Sequence, residues 1–141
     1  MSTTFDASTV LAIHELYYDY AAGNDDRDLE AIGRCFSAEG SFGLQIAGQE
    51  PWGPYLGREA VLAFMGDDLG AQRDQRRHVM TNIRVSRVSD DEARSTCYFT
   101  LLVTDGGTTR VATTGVYRDR VVLDEGRWVF AEKWLDLEGT F

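Results

Sequence analysis

The chain has 141 residues, with 14 Lys+Arg against 23 Asp+Glu, and a formal charge of −9 at pH 7. Hydrophobic residues at 43% and charged residues at 26% are a globular composition, and the length suits one domain over 1–141. The acidity excludes nucleic acid as the main partner and disfavours an anionic bilayer, since both need a basic face. No apolar run is long enough for a membrane span, and Met1-Ser2-Thr3-Thr4-Phe5-Asp6 lacks the basic start and apolar stretch of a signal peptide, so a soluble cytoplasmic protein is expected.

Periodicity predicts a first helix over 7–22, where Val10, Ile13, Tyr17, Tyr20 and Ala21 recur at three- and four-residue steps and Gly23-Asn24 supplies a stop. A second helix is expected over 28–37, capped by Asp28, with Leu29, Ile32, Cys35 and Phe36 inward. Residues 41–47 read as a short strand. Gln49-Glu50-Pro51-Trp52-Gly53-Pro54 holds both prolines and reads as a loop. A third helix follows over 58–69. Strands rich in Val, Thr, Tyr, Phe and Trp are expected near 76–88, 93–104, 109–123 and 127–137, separated by short turns such as Asp105-Gly106-Gly107 and Asp124-Glu125-Gly126. Three N-terminal helices before a meander imply an α+β fold: a curved, mainly antiparallel sheet wrapped around the helices, with a pocket at its open end.

Cys35 and Cys97 lie far apart with no C-x-x-C pattern, so two buried thiols are expected. The two histidines, His14 and His78, form no H-x-x-x-H or H-E-x-x-H spacing, which leaves a zinc site almost no material. Dinucleotide, P-loop and nucleophile-elbow glycine patterns are missing too. Chemistry without metal or cofactor is the expectation.

Four stretches carry a family resemblance. They are Ile13-His14-Glu15-Leu16-Tyr17 through Asp28-Leu29-Glu30; Tyr55-Leu56-Gly57-Arg58-Glu59-Ala60; Arg77-His78-Val79-Met80-Thr81-Asn82; and Gly115-Val116-Tyr117-Arg118-Asp119 with Gly126-Arg127-Trp128-Val129-Phe130. In order and spacing they resemble the SnoaL-like branch of the nuclear transport factor 2-like (cystatin-like α+β cone) superfamily. The branch includes scytalone dehydratase and hexachlorocyclohexane dehydrochlorinase, in which an Asp after the first helix orients a His on the first long strand. The resemblance puts these catalytic roles on Asp25 and His78.

Imidazole suits the role because its unperturbed pKa lies close to neutrality, so it can take a proton and return it. A carboxylate on one ring nitrogen fixes the tautomer and stabilises the imidazolium that forms. On sequence alone His78 is equally a packed strand residue, and Asp25, Asp26 or Asp28 is equally a helix cap. Strand alternation places His78, Met80 and Asn82 on one face, with Val79, Ile83 and Val85 on the other. Tyr17, Tyr20, Tyr98, Asn82 and Trp134 are the candidate substrate-binding residues, the aromatics among them being equally core packing. Arg76 and Arg77 read as a solvated strand edge.

Departures from the pattern narrow the chemistry. Asn24 occupies the slot where scytalone dehydratase has a Tyr, and Phe99-Thr100-Leu101-Leu102-Val103-Thr104 offers no second His. The expectation is therefore a cofactor-independent lyase or isomerase, dehydratase- or dehydrohalogenase-like, acting on a small apolar or aromatic metabolite. The alternatives are a non-catalytic ligand-binding or assembly module, as in dioxygenase β-subunits, or a polyketide cyclase. The resemblance also implies a homo-oligomer, dimer or trimer, formed through the open sheet face.

Overall fold

The computed structural model describes residues 4–141. Helix α1 spans Ala7–Asp25, and the Asp6 carboxylate caps it by accepting from the Thr9 N–H at 2.9 Å. Its buried face is Ile13, Leu16, Tyr17, Tyr20 and Ala21, one stripe at helical spacing. The helix runs three residues past its expected end at 22. Gly23 and Asn24 serve other purposes. A Cβ at Gly23 would stand 3.0 Å from Ile32 Cγ1, so the glycine lets the next helix come close. The Asn24 amide donates to the Tyr20 carbonyl at 2.9 Å, one turn back. The chain leaves the helix at Arg27, whose φ of 55° supplies the left-handed step.

Asp28 caps α2 (Leu29–Arg34), accepting from the Ala31 N–H at 3.0 Å. This helix is shorter than expected, because Phe36 already opens strand β1 (Phe36–Ile46). The proline-bearing stretch also departs from the loop expectation: Trp52–Leu56 pairs antiparallel with β1 as β2, and Pro54 sits at the sheet's edge, where a missing N–H costs no ladder bond. Helix α3 (Arg58–Ala71) then leads into the meander β3 (Gln75–Ser89), β4 (Glu92–Asp105), β5 (Thr108–Asp124) and β6 (Arg127–Leu137). The sheet order is β2-β1-β6-β5-β4-β3, antiparallel throughout except that β1 runs parallel to β6.

The curved sheet buries its concave face against the helices. Ala93, Ser95, Cys97, Phe99, Leu101 and Val103 alternate inward along β4. On β3 the alternation is interrupted. The pairing with β4 slips between Thr81 and Arg84, and Asn82 takes a φ of 52°, a bulge that asparagine tolerates. The extra residue reverses the parity, so Ile83 and Val85 pack on the same inner face as His78 and Met80, while Asn82 is turned out to solvent.

Candidate functional site

The last turn of α1 meets the start of β3, and several bonds tie the two together. The Gln75 amide donates to the Asp25 carbonyl at 3.3 Å, and the Arg27 guanidinium donates to the Asp74 carbonyl. Between these anchors, Asp25 Oδ1 accepts the His78 backbone N–H at 2.9 Å and lies 2.6 Å from His78 Nδ1. Both side chains are only 12% exposed. An ionised carboxylate accepts and never donates, so the network assigns the neutral imidazole its proton on Nδ1. Nε2 is left with its lone pair and without a hydrogen bond to any described residue. One oxygen fixing both the backbone and the ring of His78 makes the imidazole orientation rigid.

His78 faces a pocket at the open end of the cone, together with Tyr20, Asn24, Phe64, Phe99 and Tyr117, and with Asp68, Gln72, Arg76 and Thr113 as its other polar lining. The enclosed part of the pocket is small, about 60 Å³. So small a slot suits a small guest. Its walls are aromatic. Phe99 stacks on the His78 ring at 5.2 Å, and Phe64 stacks between Tyr55 at 4.4 Å and Phe42 at 5.9 Å. Phe141 stands at the mouth with Trp52 at 5.9 Å and the Arg76 guanidinium over its ring. Arg76 follows the same inward alternation as His78 and pairs with Asp74 at 3.0 Å, so it lines the pocket and is no solvated edge, whereas Arg77 is exposed.

Of the five candidate substrate-binding residues, the structure brings one, Tyr20, to this pocket. Tyr17 is fully buried behind it. Tyr98 lies on the outer sheet face, 54% exposed, because Cys97 and Phe99 hold the inward positions of β4. Asn82 is displaced by its own bulge. Trp134 also faces outward and donates its indole N–H to Asp136 at 2.8 Å, since Lys133 and Leu135 occupy the inward positions beside it. Among the described residues no three His, Cys, Asp or Glu side chains cluster as metal ligands would.

Behind the pocket lies a polar network that the sequence reading missed. Lys133, the only lysine in the chain, is fully buried and bonds Asp119 at 2.9 Å. Asp119 also accepts from the Tyr17 hydroxyl at 2.5 Å and the Trp134 N–H at 3.1 Å, and Tyr17 in turn lies 2.7 Å from Ser95 Oγ. The ammonium sits against four rings: Phe130 at 3.7 Å, Tyr117 at 3.9 Å, Tyr17 at 4.4 Å and Tyr20 at 4.6 Å. Burial pushes the Asp119 carboxyl up and the Lys133 ammonium down, each opposed by the partner's charge. A signal was present: both residues occupy inward positions of otherwise apolar alternating strands, and the β5–β6 register sets them opposite each other.

The fold and chain resemble solved structures throughout. A cystatin-like protein of unknown function from Nostoc punctiforme superposes with a TM-score of 0.79 at 24% identity, over 98% of this chain and 96% of that one. A candidate scytalone dehydratase from Novosphingobium aromaticivorans gives 0.78 at 22%, over 95% and 87%. The β subunit of a candidate aromatic-ring-hydroxylating dioxygenase from the same organism gives 0.79 at 18%, over 96% and 94%. No curated protein sequence matches the chain. The sequence model of the SnoaL-like domain matches residues 6–133, nearly the whole length, and the chain belongs to that family.

Proposed function

We propose that this protein is a cofactor-independent lyase or isomerase in which His78 Nε2 takes a proton from a small apolar or aromatic metabolite. The observation that carries the reading is the 2.6 Å contact between Asp25 and His78 at the wall of an aromatic slot. Asp25 holds the Nδ1–H tautomer and stabilises the imidazolium formed when Nε2 accepts the proton. The proton then returns to a departing group or to a neighbouring carbon, giving elimination or a shifted double bond. Such acid–base help supplies about 10²–10⁴-fold. We further propose a single domain over 1–141, working in the cytoplasm as a dimer or trimer.

The test is a screen of small β-hydroxy compounds, hydroxy-ketones and halocarbons in deuterated water, read by NMR as exchange or elimination. His78→Ala, folded by circular dichroism, is expected to abolish exchange on any compound turned over. Unchanged turnover removes His78 from the mechanism. The second reading is a non-catalytic binding or assembly module, favoured by the similarity to a dioxygenase β subunit. It gains if ligands bind the slot without exchange in the wild type.

A further inference from the structure

Among the described residues, the slot is lined by one guanidinium, Arg76, and one carboxylate, Asp68. The Arg76 side chain is 17% exposed and is held on two sides. Its Nε–H donates to Asp74 Oδ1 at 3.0 Å, and the Phe141 ring lies against its face, 5.9 Å from guanidinium carbon to centroid. Asp74 is anchored in turn, because its carbonyl accepts from the Arg27 guanidinium just past α1. These contacts use the Nε–H of Arg76 alone. Among the described residues no hydrogen bond or ion pair occupies its Nη1 and Nη2 donors.

A partly buried arginine fixed at Nε and on one face, with its Nη edge free, is prepared for a planar oxyanion, since the fork matches the two oxygens of a carboxylate. The other acids of the site do not fill that role. Asp25 Oδ1 is committed to His78 at 2.6 Å, and Asp68 Oδ2 accepts from the Gln72 amide at 3.0 Å. Arg76 and His78 belong to the same inward alternation of β3, two residues apart, which sets their Cα atoms about 6–7 Å from each other. A small guest therefore reaches both side chains at once.

We infer that Arg76 is the specificity residue of the slot and that the substrate carries a carboxylate on its small apolar or aromatic body. The inference rests on the slot being the substrate site, as proposed above, and gives that site its substrate class. The body lies among the aromatic walls, and the carboxylate stands at the mouth on the Nη edge of Arg76. When Nε2 of His78 takes a proton from the carbon beside that carboxylate, the electron pair left behind spreads onto the carboxylate oxygens, where the guanidinium receives the added charge. A neutral amide of the same shape turns N–H groups toward the guanidinium and gains no charge-assisted bond.

The experiment compares crotonate with crotonamide, which exchanges one carboxylate oxygen for an amide nitrogen and keeps the shape, by ligand-observed NMR titration at neutral pH and low salt. The wild type is expected to bind crotonate more tightly. Arg76→Gln, folded by circular dichroism, is expected to weaken crotonate about 10-fold, the worth of charge-assisted hydrogen bonds, and to leave crotonamide within about two-fold. Asp68→Asn removes the acid that shares the slot and is expected to tighten crotonate; weaker binding there overturns the inference. The wild type alone gives a reading if Arg76→Gln fails to fold: a preference for crotonate that fades as sodium chloride is raised supports the ion pair, and one that salt leaves unchanged overturns it. Equal affinities in the wild type, or a preference that survives Arg76→Gln, also overturn it while leaving the His78 mechanism standing. Failure of both ligands to bind the wild type removes the slot as a substrate site and takes the proposed function with it.

Discussion

Replacing Lys133 with Met tests the buried network most directly. Methionine is unbranched and of similar reach, so it fills the ring cage left by the ammonium and keeps favourable sulfur–aromatic contacts. What it removes is the charge that Asp119 faces at 2.9 Å in a fully buried setting. Tyr17 and the Trp134 N–H still donate to the carboxylate, but neither neutralises it. Stranding one charge of a buried pair costs about 3–5 kcal/mol. With an unfolding entropy of about 0.3 kcal/mol/K for 141 residues, the melting temperature is expected to fall by about 10–17 °C. Because burial raises the Asp119 carboxyl, protonating it favours the fold; stability is fully present below the unfolded carboxyl range and lost as pH rises through the folded value. The deficit of Lys133→Met should therefore shrink in acid and grow toward neutrality. Asp119→Asn is expected to cost a similar amount, and the double variant much less than the two together, read from urea unfolding at several pH values. A loss under about 1 kcal/mol in Lys133→Met, or strictly additive losses, would refute the reasoning.

Asp25→Asn should keep the fold but lower any His78-dependent turnover by about 10²–10⁴-fold, measured as kcat on a substrate from the screen, because the tautomer is no longer enforced. Burial pushes the Cys35 and Cys97 thiols from 9.0 to about 11, so both should resist thiol reagents in the native state at neutral pH. Their protonated forms favour the fold; that stability is fully present below pH 9.0 and lost as the pH climbs to about 11, which alkaline unfolding curves would show against a Cys→Ser pair. Gly115→Ala drives a Cβ to 2.5 Å from the Asp136 carbonyl oxygen, a backbone atom that cannot rotate away, and should cost about 1–3 kcal/mol in urea unfolding. Gly66→Ala in α3 meets nothing closer than 3.5 Å and should instead stabilise by about 0.5–1 kcal/mol.

The parts of the fold legible in the sequence were those with a sustained period. The stripe of α1 and the alternation of β4 to β6 follow from burial of one face, and they carry the α+β class and the meander. The period fails where structure is made by exceptions. Strand β2 is largely exposed and interrupted by Pro54, so it has no alternation to find. Gly23-Asn24 has the composition of a helix stop, yet close packing against Ile32 and the bond to the Tyr20 carbonyl keep it helical. On β3 one residue in the left-handed region reverses every later side chain, and an alternation count cannot see it. The same limits apply to the site. A motif carries Asp25 and His78, whereas Tyr98 and Trp134 offer only aromatic character, and strand parity points them away from the cone. Lysine is usually solvated, so the only sign of Lys133's burial is the inward alternation of its neighbours along β6.

The solitary lysine at the centre of the cone has a practical consequence. Every other basic side chain in the sequence is an arginine or a histidine, so the folded protein offers amine-directed reagents no side chain to attack. Acylating dyes and lysine cross-linkers will acquire that target only when the core opens. The chain thus carries its own built-in reporter of global opening, one amine whose rate of modification counts how often the interior is laid bare.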